Sequence, residues 1–450
     1  MEDKRTSIAK TAIPPDEQTP QSQSPSMQSR LPPPKQPLTP YIPATQNSSK
    51  SQAQLLMELT AISGEYPADN IHRIIPSPSY AKKVVAALIA DKMLKLVNKG
   101  NVRGYRLEIK AKRQLLAENH ARYKDYMEGA TDTNKLRSAH SRRLRLHSAA
   151  EVYTLMLGAG VRIFKDTKPK VYLLDEAANP SQTISGSSEG KTPLNTTNTS
   201  TQGNPSQSSV ESSECKATIA ITTPCFYSSR EQKGEDDKAI RGSRAVGTLL
   251  TPTHVYAVYN TGNVESQWRE GVEERYMEEV RNYICRRLLL AQYNGDAVGG
   301  ILIGADFKIL MDYLTAETKT GAARSFLTET YWPFYFITND NYGTVQLRLL
   351  CDNATMTSLK TGMFKKYRPH DIKHPVEHDV LTEDGNPVLF CFLLDIPRLI
   401  KFRMGLLLRE KIGRVIAFDF QETMLREYLG EEVEIKTLSL DAFMKMFYPN

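Results

Sequence analysis

The stretch LKLVNKGNVRGYRLEI, Leu94 to Ile109, alternates apolar and polar residues, breaks at Lys99-Gly100-Asn101 and then alternates again. Two period-2 runs around a glycine-containing turn make a β-hairpin. What precedes it is helical. In SQAQLLMELTAISGEYP, Leu55, Leu56, Leu59 and Ile62 share one helical face and Gly64 stops it. PADNIHRII is a short second helix ended by Pro76. SPSYAKKVVAALIADKMLKLV opens on a Ser77 cap with Pro78 at the first helical position, and its inner face carries Val84, Val85, Leu88, Ile89 and Met93. Three short helices and a hairpin predict a winged helix-turn-helix over residues 51–130, with one more helix in KAKRQLLAENHARYKDYM.

Two polar tracts divide the rest. Residues 1–50 are rich in Pro, Gln, Ser and Thr and hold little that could be buried, so they are expected to stay disordered. The tract from Asn179 to Cys215 is equally low in complexity and reads as a disordered insertion in an α/β domain spanning 136–317. A C-terminal α/β region follows over 318–450. Its strand-like runs include FYFITND, TVQLRLLC, VLFCFLLD and RVIAFDF. The fold class is therefore α/β (α+β) and multidomain. RLIKFRMGLLLREKIG is helical, with buried core favoured over a dimer surface; oligomeric state stays open.

Lys and Arg number 58 against 51 Asp and Glu, and the net charge of +7 favours a polyanionic partner. The five cysteines form no CxxC pair, which disfavours a zinc ribbon or a disulfide framework. No charged-then-apolar leader opens the sequence and no apolar run reaches the roughly 18 residues of a membrane span. A cytoplasmic protein off the membrane is expected.

The basic residues fall where a winged helix meets double-stranded DNA. Ser79, Tyr80, Lys82 and Lys83 lie near the start of the third helix, where lysine meets phosphate and serine or tyrosine reaches a base edge. Lys99, Asn101 and Arg103 stand at the wing tip, and Lys110, Lys112 and Arg113 on the helix after it. KLRSAHSRRLRLH adds Arg137, Arg142, Arg143 and Arg145. Such clustering makes affinity fall steeply with salt. Solvated faces of a protein-binding winged helix would have the same composition.

Other motifs weigh less. GSSEGKT, Gly186 to Thr192, spaces its glycines by three residues where a phosphate loop needs four, so neither it nor VYLLDEA argues for ATP. HDIKHPVEHD spaces His370, His374 and His378 four apart, but Pro375 disfavours the helix that would align them on a metal; a polar loop is expected, with no metal site.

The remaining question lies in FYSSREQKGEDDKAIRGSRAVGTLL. GYRLEIKAKRQLL, SRRLRLHSAAEVYTLMLGAG and the α/β stretch after them resemble the replication–relaxation family of plasmids and integrative elements, over about residues 51–300. The resemblance implies a winged helix followed by a domain similar to restriction-endonuclease-like nucleases and MobC-type relaxases, acting at a replication or transfer origin beside other mobilisation or replication proteins. It also implies a helix carboxylate, a strand Asp and a strand Glu-x-Lys around Mg²⁺. Here SRAVGTLL has no acid, and HVYAVYNTG ends in Tyr259-Asn260 where Glu-x-Lys should be. The acids and bases left for a cleaving site are Glu231, Lys233, Asp236, Asp237, Arg244, Glu273 and Glu274, and nothing in their spacing joins them. A DNA-binding protein with a largely degenerate nuclease-like domain and no cofactor is expected. An active Mg-dependent nicking relaxase and a winged-helix transcriptional regulator are its rivals. Without a metal, Lys238, Arg241 and Arg244 would still form a phosphate-facing edge.

Overall fold

The computed structural model describes residues 51–128, 133–134, 139–169, 171, 221–232, 244–262, 272–287, 293, 298–315, 329–367, 373–409 and 411–449. The two polar tracts, GSSEGKT and most of VYLLDEA lie outside them.

The Ser51 hydroxyl accepts the Gln54 N–H and starts helix α1 (Gln52–Ser63), which ends where Gly64 takes φ 87°. A two-residue strand, β1 (Tyr66–Pro67), and a 3₁₀ turn (Ala68–Arg73) follow. Ser77 then caps α2 (Pro78–Ala90). Ala81, Val84, Val85 and Leu88 form its buried face, whereas Ile89, expected inside, is 40% exposed. Strands β2 (Leu94–Lys99) and β3 (Val102–Leu107) pair antiparallel through Gly100 and Asn101, both at φ 60°. Two positive φ values define a type I′ turn, which suits Gly and Asn. The three strands are ordered β1-β3-β2, and α3 (Ile109–Glu118) and α4 (His120–Met127) follow.

After α5 (His140–Gly158) comes a six-stranded sheet, ordered β11-β8-β7-β6-β5-β4. Strands β4 (Cys225–Ser228), β5 (Ala245–Leu250) and β6 (Val255–Gly262) are successively antiparallel. A single helical turn, α6 (Ser229–Gln232), follows β4. β7 (Val298–Gly304) and β8 (Phe334–Thr338) run parallel to β6, with α7 (Val272–Arg287) and α8 (Phe307–Thr315) in the connections, and β11 (Leu394–Asp395) closes the edge antiparallel to β8. Both faces are apolar, as parallel strands require. Tyr256, Val258, Ile301, Ile303 and Ile337 join the core of the N-terminal module. Their neighbours Val255, Ala257, Tyr259, Leu302 and Phe336 join the core on the other side.

A second sheet, ordered β13-β12-β10-β9, holds the C-terminal part. Strands β10 (Pro387–Phe390), β12 (Arg414–Phe418) and β13 (Glu434–Leu438) are parallel, linked through α11 (Ile396–Arg409) and α12 (Glu422–Leu429). β9 (Val380–Leu381) is antiparallel on β10, and α13 (Leu440–Phe447) ends the chain's described elements.

The mixed α/β class agrees with the sequence; two details do not. TVQLRLLC is not a strand but most of helix α9 (Asn341–Cys351), followed by α10 (Asn353–Phe364). Asp340 caps α9 by accepting the Gly343 N–H, and the helix is wedged between two cores, Leu347 in one and Val345 and Leu349 in another. Its apolar residues Val345, Leu347 and Leu349 alternate as a strand's would, because two cores take up different faces of the helix. Second, the boundary at 317 falls inside a sheet, because β8 and β11 from the later region are strands of the six-stranded layer. Among the described residues no helix is long and apolar enough to cross a membrane.

Candidate nucleic-acid interface

The outer face of α2 and the hairpin gather the basic residues. Ser79, Lys82 and Lys83 are exposed on α2 and Tyr80 is 51% exposed. Lys99, Asn101 and Arg103 are exposed on the hairpin, and Lys95, absent from the sequence reading, joins them on edge strand β2. On α3, Arg113 and Lys110 are exposed, Lys112 is half-buried, and the Lys110 ammonium donates to the Asp91 carbonyl at 3.2 Å. Arg142 and Arg145 are exposed on α5. Arg137 lies outside the described residues. None of Lys82, Lys83, Lys95, Lys99, Arg103, Arg113, Arg142 and Arg145 pairs with an acid among the described residues.

Arg143 corrects the sequence reading. Its side chain is 1% exposed, with Nε 3.0 Å and Nη2 2.5 Å from Glu65 Oε1. Its remaining N–H groups donate to the Lys99 and Val97 carbonyls of β2 at 2.9 Å each. Arg106 adds a bond to the same carboxylate at 2.7 Å, and His147 lies 2.9 Å from Oε1. Burial alone would push the Glu65 carboxyl up, but bonds from His147, Arg143 and Arg106 hold it at about 2. Gly104 is needed beside this cluster, since a Cβ there would collide with Glu65 and His147. Arg143 therefore fastens the hairpin to α5 and is not available to phosphate.

Glu231 is also committed elsewhere. Its carboxylate accepts from Lys168 Nζ at 2.8 Å, the Tyr126 hydroxyl at 2.9 Å and the Ser228 N–H at 2.7 Å. With Ser228 Oγ accepting the Glu231 N–H, SSRE is a capping box. Lys168 is itself buried and also donates to the Phe226 carbonyl. Glu231 is thus an internal ion-pair partner and helix cap, which removes it from a metal-ligand role. Lys233, Asp236, Asp237, Lys238 and Arg241 lie outside the described residues. Arg244 is exposed just before β5, and Glu274 is half-buried on α7, where Glu273 also falls. No described contact joins them to Glu231.

A carboxylate that does stand at the end of β6 is Glu151 of α5. Asn70 Nδ2 donates to its Oε1 at 2.9 Å, and Asn260 Nδ2, at the end of β6, donates to its Oε2 at 3.0 Å and to the Ser148 carbonyl. Asn260 Oδ1 accepts the Gly262 N–H, which fixes the amide's orientation. Nearby, Arg73 is buried and donates to the Asn339 side chain and, at 3.4 Å, to the Asp340 carbonyl, tying the 3₁₀ turn to the start of α9.

The chain matches no protein-family model, no curated protein and no solved structure.

His374 and His378 lie outside helices and strands with rings 4.9 Å apart, and His370 is outside the described residues. Among the described residues no group of three His, Cys, Asp or Glu is arranged to hold a metal ion.

Proposed function

We propose that this protein binds double-stranded DNA, with α2 in the major groove and the β2–β3 hairpin on the adjacent backbone. The observation that carries the reading is the exposed face of α2, where Tyr80, Lys82 and Lys83 stand without acidic partners among the described residues. Helix, short strand, 3₁₀ turn, helix and hairpin, with sheet order β1-β3-β2, is the connectivity of a winged helix, and that order supports the assignment. The resemblance to replication–relaxation proteins suggests the setting: an origin of replication or transfer on a mobile element.

The α/β body is read as a non-cleaving relative of restriction-endonuclease-like domains. The succession α5, β4, β5, β6, α7, β7, with the first three strands antiparallel and β7 parallel to β6, supports the comparison. Asn260 at the end of β6, and the amide N–H groups on both Glu151 oxygens, argue against a metal there, because a divalent cation needs anionic oxygens.

Fluorescence anisotropy on duplex DNA tests the binding half. Lys82→Ala/Lys83→Ala should weaken binding and reduce the slope of log K against log salt by about one to two units. Unchanged affinity and slope would refute the groove-reading role of α2. Incubation of the whole protein with supercoiled DNA and Mg²⁺ should leave it intact; a nick that Glu151→Ala abolishes would restore the relaxase reading.

A further inference from the structure

Helix α11 is apolar on opposite faces. Leu399, Phe402 and Leu406 are buried in the core shared with the six-stranded sheet. Met404, Leu407 and Leu408 point the other way and are 49%, 63% and 75% exposed. Helical spacing stacks Lys401, Met404 and Leu408 one turn apart, with Leu407 alongside. Ile412, just beyond the helix, is 62% exposed, and half-exposed Trp332 stands at the other end with Lys401 Nζ 4.0 Å from its ring centre. A helix apolar on both sides ordinarily lies between two layers. A contiguous exposed stripe of this kind marks an interaction surface, and a tryptophan at its end is the residue type most often found as an anchor.

The rim of the stripe identifies its occupant. Lys401, Arg409 and Lys411 are exposed, and Arg403 lies half-buried with its guanidinium 4.6 Å from the Tyr428 ring centre. None of the four pairs with an acid among the described residues, and the sequence supplies only Glu410 among them. A twofold contact between two copies would bring this cationic rim against itself, and like charges across an interface are costly. We propose that this face of α11 docks an amphipathic helix of another protein, with apolar anchors at i, i+3, i+4 and i+7 and an acidic rim. The surface is independent of the DNA reading.

The test uses the full chain and a fluorescein-labelled synthetic peptide of about 18 residues, with leucines at that spacing and glutamates around them. One control peptide has the same composition in scrambled order; another carries lysine for glutamate. The acidic amphipathic peptide should bind, more weakly as salt rises, and both controls should not. Leu407→Asp/Leu408→Asp should reduce that binding by about tenfold or more. Because both leucines are exposed, the double variant should unfold at the parent temperature, and Leu408→Ala should give a smaller loss in the same direction. Equal binding of the lysine peptide, or no binding of the acidic one, overturns the proposal. So does a dimer in sedimentation velocity that the double variant dissolves, which would make a second copy the occupant. Capture by phosphatidylserine vesicles without peptide binding would assign the face to a membrane surface instead.

Discussion

Replacing Arg143 by Ala separates a buried fastening from a phosphate contact. The side chain is 1% exposed and makes bonds to the Glu65 carboxylate and to two β2 carbonyls. Its removal leaves a fully buried carboxylate with Arg106 and His147 alone, and leaves Val97 and Lys99 without those donors. Breaking a buried charge pair costs about 3–5 kcal/mol, and the surviving Arg106 places Arg143→Ala near the lower end. For a cooperative unit of about 150–250 residues, about 3 kcal/mol lowers the melting temperature by roughly 6–12 °C. Arg142→Ala, one residue away but exposed, should change stability by no more than about 0.5 kcal/mol. If the DNA reading holds, Arg142→Ala should instead lower the salt slope by about 0.9. Differential scanning fluorimetry and anisotropy on the same preparations check both. An Arg143→Ala protein that melts with the parent yet loses salt slope as Arg142→Ala does would refute the buried assignment.

The same carboxylate sets an acid limit. Glu65 is held at about 2 against an ordinary 4.5, so the folded state keeps it ionised where the unfolded chain takes up a proton. Its contribution is present above about pH 4.5 and lost as pH falls towards 2, a total of about 3 kcal/mol. Glu65→Gln should be less stable at neutral pH but show a flatter acid limb in urea titrations at successive pH values. Asp395 behaves oppositely: burial pushes its carboxyl up to about 6 from 3.8 despite the nearby Arg398. The folded state then holds this proton more tightly, so the group costs stability progressively as pH rises from about 4 through 6. Asp395→Asn should therefore gain thermal stability over the parent at pH 7.5 and lose that advantage by pH 4. Gly104→Ala, whose methyl would press on Glu65 and His147, should lower the melting temperature and leave secondary structure by circular dichroism intact.

The local elements of the N-terminal module were legible because their signals are local. Ser51 and Ser77 caps, the Gly64 stop and the Gly100-Asn101 turn each act within a few residues. Arg143 could have been placed too, since it falls on the helical stripe of Leu146 and Ala150 whereas Arg145 lies well off it. Reading SRRLR as one cationic cluster ignored that phase. The partners of Glu65 were beyond reach, because they come from β3 and α5, 41 and 78 residues away. α9 was misread for a different reason: apolar residues at Val345, Leu347 and Leu349 mimic a strand when two cores claim a helix from both sides. Glu151 gave no signal of its own, since its partners Asn70 and Asn260 are neutral and lie in separate elements.

That neutrality bears on what the α/β body can do. Each Glu151 oxygen accepts an amide N–H, Asn260 directs its own oxygen at the Gly262 backbone, and burial pushes the nearby Arg73 guanidinium down despite the surrounding Tyr66, Asp340 and Glu151. A centre that holds Mg²⁺ has to concentrate negative charge on oxygens pointing into one space. Here a single carboxylate is spent on holding three elements together: the 3₁₀ turn through Asn70, α5 through its own backbone, and β6 through Asn260. The same residues therefore clamp the N-terminal module onto the end of β6. The contacts that join the N-terminal module to the end of β6 thus leave each Glu151 oxygen already occupied by a neutral amide N–H.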